Sequence, residues 1–112
     1  VTYRYATQAD VLAFYGRPHE MSMRAVAVIV DEQPVGIIGL AMGVDCCTLF
    51  ADSKPEIEPY LKSMAVYRAI ALAMKLVKQS KRTVLAIRQP GTDILPRLGF
   101  EHVQGEVYRW PS

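Results

Sequence analysis

The chain has 112 residues, 51% of them hydrophobic and 21% charged, and a net charge of +2. That length supports one continuous core and a single domain. Its longest apolar runs, 25–30 and 35–42, are too short to cross a bilayer, and so small a charge without a basic, aromatic-laced stripe gives no ground for nucleic-acid binding.

The opening VTYRYATQAD carries no secretory pattern. Its alternating β-branched and aromatic residues predict a strand over 2–6. Thr7 is placed to cap a helix whose apolar positions include Val11, Leu12 and Tyr15, and Gly16 and Pro18 end it. RAVAVIV is a buried strand by its β-branched content. DEQP is a turn, and VGIIGLAMG returns as the second arm of a hairpin. Gly36 and Gly39 inside that arm predict a bulge or a close approach to the backbone. Gly43 marks the next turn, and VDCCTLFA is a third strand of this region. Its Cys46 and Cys47 are adjacent, a strained arrangement for a disulfide. Without a second cysteine pair or a histidine pair they suggest no zinc site, and a reducing cytoplasm is expected. One cysteine of the two should point inward and the other outward.

DSKPEIEP reads as a polar connection. A long helix follows, from Ile57 or Tyr60 to Gln79, with Ile57, Leu61, Met64, Ala65, Leu72 and Leu76 on one face. Val66, Ile70, Ala73 and Val77 widen that apolar surface, as expected of a helix laid against a sheet. Lys75, Lys78, Lys81 and Arg82 sit where cations offset the negative end of the helix dipole. RTVLAIR is a strand in mid-sheet. PGTDILPRLGF is a short helix capped by Thr92, limited by Pro96 and stopped by Gly99. EHVQGEVYRW closes with two short strands about Gly105. The expected order is β-α-β-β-β-α-β-α-β-β, a mixed sheet whose central strand–helix–strand unit is parallel and right-handed.

Three stretches in this order resemble the GNAT superfamily of acyl-CoA N-acyltransferases. They are the hairpin VIVDEQPVGIIGL, the strand–helix–strand run from CCTLFA to TVLAI, and ILPRLGFEHVQGEVYRW. The most specific is Leu98-Gly99-Phe100-Glu101 followed by a closing hairpin. The resemblance covers nearly the whole chain. It implies a single-domain α/β fold with a splayed parallel strand pair, and acetyl-CoA or another acyl-CoA held between those strands. The pantetheine arm would pair with Thr48, Leu49, Phe50 and Ala51, opposite the strand at 83–88 that ends in Arg88. The pyrophosphate would meet the helix start, where unpaired N–H groups and the dipole favour an anion. The family's glycine-bearing phosphate pattern falls on residues 60–65. Tyr60 takes the leading position, Lys62, Ser63, Met64 and Ala65 form the loop, and Ser63 and Ala65 replace the small residues.

The resemblance also implies a base from the central strands, for which Asp45, Asp52 and Glu56 are candidates. The acceptor would be an amine of a small molecule or protein, entering near residues 36–40 and Asp45. Leu95 stands where the family places a tyrosine acid. Tyr60, Tyr67 and Tyr108 are substitute donors that nothing in the sequence separates, and Tyr60 is carried forward with Asp45 and Asp52. The missing glycines and tyrosine keep a second reading open. In it the chain is a non-catalytic binding or structural module, a kind of compact GNAT-like protein familiar from bacteriophage genomes and in some cases from virions. Either way the open sheet edges favour a homodimer or a protein partner.

Overall fold

The structure, a computed structural model, describes residues 1–19, 22–89 and 93–111. The described residues form one α/β domain around a mixed seven-stranded sheet. Its elements are β1 (Thr2–Tyr5), α1 (Gln8–Tyr15), β2 (Met23–Val30), β3 (Gln33–Met42), β4 (Cys46–Ser53), a 3-10 helix (Pro55–Tyr60), α2 (Met64–Gln79), β5 (Thr83–Ile87), α3 (Ile94–Leu98), β6 (Glu101–Gln104) and β7 (Val107–Arg109). The strands lie in the order β1-β2-β3-β4-β5-β7-β6. β4 and β5 run parallel, and the other neighbouring pairs are antiparallel. The expected Thr92 cap lies outside the described residues; α3 begins after Asp93.

Period-2 alternation divides the core between two faces. Val26 and Val28 of β2 and Leu40 of β3 join Cys47, Val84 and Ala86 under α2, against Val66, Ala69, Ala73 and Val77. Ala25, Ala27 and Ile29 point the other way and meet Phe14 of α1 with Ile37. Cys47 is fully buried and Cys46 half-buried, as the alternation requires.

The helix boundaries have local causes. Thr7 caps α1 in a capping box, its hydroxyl accepting from the Asp10 amide while Asp10 accepts from the Thr7 amide. Arg4 adds a two-pronged ion pair to the same carboxylate, at 2.7 and 3.2 Å. Hydrogen bonding from Arg4 holds the Asp10 carboxyl below the usual carboxylate range, against the opposing effect of burial. Gly16 adopts the left-handed conformation that ends the helix. Leu12, expected on the apolar face of α1, is half-exposed, and Phe14 is buried in its place.

The long helix is shorter than the sequence suggests. It does not run from Ile57 or Tyr60. Pro55 and Pro59 hold the preceding segment in a 3-10 helix, because proline removes an amide donor and biases its predecessor away from the α region. α2 starts afresh at Met64, with Ser63 as N-cap. The break re-phases the helix. Leu61 and Met64, expected inside, are 50% and 62% exposed, whereas Val66, Ala69, Ala73 and Val77 carry the buried face.

The hairpin between β2 and β3 turns on Asp31 and Glu32, both at positive φ, as a two-residue type I′ connection needs. Val35 is a bulge: Val28 pairs with Gly36 and Ile29 with Pro34, leaving Val35 between them. Its carbonyl accepts from the Lys54 amide, which ties the end of β4 to the hairpin. Gly99 takes a left-handed φ of 108° after α3, and the Trp110 ring lies against it. Phe100 then enters the core edge-on to Trp110. The Leu98-Gly99-Phe100 motif thus has a packing role in this fold.

Both glycines of β3 answer to a close approach. A Cβ on Gly39 would stand 2.3 Å from the Arg24 carbonyl oxygen and 2.5 Å from the Ala25 Cα. On Gly36 it would meet only the tip of Ile57, at 2.8 Å. Backbone cannot yield as a side-chain tip can. Gly39→Ala is therefore expected to cost about 1–3 kcal/mol, clearly more than Gly36→Ala, as read from urea denaturation midpoints of the two variants.

Candidate functional site

The parallel ladder between β4 and β5 is short. It runs from Cys46–Thr83 to Leu49–Ala86 and stops. β4 continues through Ser53, still paired with β3 on its other side, while β5 ends at Ile87 and the chain turns toward β7, the Arg88 amide donating to the Glu106 carbonyl. Residues 50–53 of β4 therefore pass the end of β5 with one edge outside any ladder.

A cavity of about 490 Å³ opens at this point. Its walls are Thr48, Leu49, Phe50, Ala51, Asp52 and Ser53 of β4, the end of β5, residues of α3, and Val66, Ala69 and Ile70 of α2. Apolar side chains dominate, and Asp52 is the one ionisable residue among the described lining. Thr48, Leu49, Phe50 and Ala51, expected to pair with the cofactor arm, are all in this wall, but Thr48 and Leu49 are paired with Leu85 and Ala86 of β5, so only Phe50 and Ala51 lie past the ladder.

The helix start sits above the same cavity, since Val66 is both a wall residue and the third residue of α2. The Ser63 hydroxyl accepts from the Val66 amide, and the first bond within the helix runs from the Tyr67 amide to the Ser63 carbonyl. Helix geometry gives the amides of Met64 and Ala65 no partner inside the helix. Lys62 and Met64 are exposed, and Ser63 and Ala65 are half-buried. Arg88 lies at the end of β5, with Asp93 at 3.5 Å and Glu106 at 3.7 Å.

The structure separates the other candidates. Asp45 precedes β4 in a turn whose carbonyls at Gly43 and Val44 accept from the Arg82 guanidinium. Six residues of nearly extended chain divide it from Asp52, on the order of 20 Å. Tyr60 and Glu56 line a different cavity, beside the β2–β3 turn. Tyr67 is 69% exposed on α2, and Tyr108 packs edge-on to His102 in the closing hairpin. Leu95 is buried in the wall of the cavity beside β4, an apolar group at the position where the resemblance would put a tyrosine acid. Of residues 36–40, Gly36, Ile37 and Ile38 reach this cavity, while Leu40 is buried in the core.

Two residues absent from the sequence reading of the site join it here. The Tyr15 hydroxyl donates to Asp52 Oδ2 at 2.6 Å across 37 positions of sequence. His19 stacks on Phe50, with ring centroids 6.0 Å apart, and its ring also stands 5.9 Å from that of Tyr15. An ionisable cluster thus covers the α1 face of β4 beside the cavity. No spacing rule links these positions; only the packing of α1 beside β4 brings them together. Among the described residues no group of three or more His, Cys, Asp and Glu side chains forms a metal-binding arrangement, and no helix is long and apolar enough to cross a membrane.

No protein-family model, curated protein or solved structure matches this chain. The likeness to acyltransferases rests on the order of elements and on the residues quoted above.

Burial, and then the Asp52 carboxylate, push the Tyr15 hydroxyl well above its usual range. A tyrosine raised in the folded state contributes its full stabilisation below the unfolded value of about 10 and loses it as pH climbs toward the folded value. Tyr15→Phe removes that dependence. Urea midpoints measured from neutral to strongly alkaline pH should fall less steeply above about pH 10 in the variant than in the parent.

Proposed function

We propose that the protein is an acyl-CoA-dependent N-acyltransferase, with the donor thioester in the gap where β4 outruns β5. The observation that carries this reading is the apolar cavity at the end of the ladder, against an unpaired stretch of strand. A pantetheine arm carries amides at intervals along an extended chain. The free edge of residues 50–53 offers it the pairing that an added strand would find. The amides of Met64 and Ala65, the helix dipole and Lys62 favour the diphosphate. Ser63 already satisfies the Val66 amide, so this helix start holds an anion with fewer free donors than a glycine loop supplies.

Asp52 is the base of this proposal, because it is the carboxylate at the cavity wall and Tyr15 fixes its orientation. The acceptor amine approaches over the α1 face, past Tyr15, His19 and Phe50. Its nitrogen attacks the thioester carbonyl, the C–N bond forms, Asp52 takes the amine proton and the C–S bond breaks. The thiolate departs without a protein acid at Leu95. A thiol with a pKa of about 8.5 tolerates that.

Leu95 also favours a second reading, a protein that binds the thioester and does not transfer it. The two readings separate experimentally. Acetyl-CoA is expected to bind with micromolar affinity by calorimetry, and Ser63→Glu to abolish binding by placing a carboxylate against the diphosphate. Asp52→Asn should leave thioester affinity within a few-fold and lower amine acetylation by about 10²–10⁴. Binding without turnover on a broad amine panel favours the carrier reading. Absence of binding at millimolar ligand refutes both.

A further inference from the structure

The cavity is larger than the gap between β4 and β5. It continues beneath the first turns of α2, across β3 and onto β2, where Val28, Gly36, Ile38 and Ile57 line it. This branch differs chemically from the gap. There β2, β3 and β4 are paired on both sides of the Val35 bulge: Val28 pairs with Gly36, Gly36 with Ser53, and Ile38 with Ala51. The backbone groups of that floor are already engaged in the sheet. The branch therefore presents aliphatic side chains and the bare Cα of Gly36, and little that could accept or donate a hydrogen bond. An amide placed there would lose its water without gaining a partner, an unfavourable exchange. A hydrocarbon chain would lose nothing polar.

The shape follows from three features already described. The bulge at Val35 brings Gly36 under the 3-10 helix. The missing side chain at Gly36 lets the Ile57 tip come down onto the sheet, since a Cβ there would stand 2.8 Å from it. Pro55 and Pro59 hold the 3-10 helix so that Ile57, itself only 6% exposed, lines the far end. The apolar walls match a hydrocarbon chain entering from the thioester side.

We infer that this branch is an acyl-chain pocket, so that the preferred donor carries a saturated chain of several carbons and not acetyl. The inference rests on the proposed thioester gap and adds the class of acyl group. The pantetheine amides take the free edge of β4, and the chain turns under α2 toward Ile57.

The test is a binding series by calorimetry with acetyl-, butyryl-, hexanoyl- and octanoyl-CoA on the purified protein. Each methylene buried in an apolar pocket should tighten binding roughly three- to fourfold until the branch is full. Val28→Phe fills the branch from its floor. It should flatten the series while keeping acetyl-CoA affinity near that of the parent. Ile57→Ala enlarges the branch at its far end and should move the optimum to a longer chain. Melting curves of both variants establish that they fold, and the opposite shifts they predict cannot both arise from loss of structure. A flat series in the parent, or acetyl-CoA binding most tightly, overturns the acyl-chain pocket and leaves the thioester gap standing. Failure of every thioester to bind overturns the gap and the pocket together.

Discussion

A parallel strand pair holds together only while both strands continue, and here one stops before the other. The β4–β5 ladder ends at Leu49 and Ala86, yet β4 runs four residues further. Strand polar groups without partners must find water or a ligand. Among the described residues, side chains of α2 and α3 join β4 and the end of β5 in lining a cavity of about 490 Å³ there. The free edge, the helix start above it and the carboxylate at its wall all follow from that one unequal ending.

The two faces of the sheet divide the work. Under α2 the packing is aliphatic, and the cavity is an extension of the core that the core does not fill. On the α1 face the same strand presents Phe50 and Asp52 to Tyr15 and His19. Asp52 belongs to both surroundings, lining the cavity and accepting from Tyr15. A residue so placed can act on a group delivered from one side using a partner that arrives from the other. Leu95 makes the far wall apolar.

Much of the architecture was legible because it rests on local patterns. β-branched runs gave the strands, Thr7 and Gly16 bounded α1, and alternation sorted Cys46 from Cys47. The start of α2 was misread for a physical reason. Hydrophobic periodicity was phased from Ile57, and two prolines interrupt the chain between Ile57 and Met64. Strand order alone put residues 48–51 on the β5 side of β4, but the point at which the ladder stops was not legible, and Thr48 and Leu49 remain paired with β5. Asp45 and Asp52 looked equivalent in sequence, being polar residues flanking one strand, and only the length of that strand sets them at opposite ends. Tyr15 was read only as an apolar position of α1 and His19 as an isolated loop histidine, because their meeting with Asp52 and Phe50 depends on where α1 docks, which no pattern within nineteen residues can specify.

The account stands on the free edge of β4 receiving an extended ligand. Amide hydrogen exchange across β4, with and without saturating acyl-CoA, tests this most directly. The account predicts that amides within residues 50–53 gain protection on binding, together with Met64 and Ala65, while those of residues 46–49, already inside the ladder, change little. Protection confined to other elements, or none in residues 50–53 with ligand bound, would contradict it.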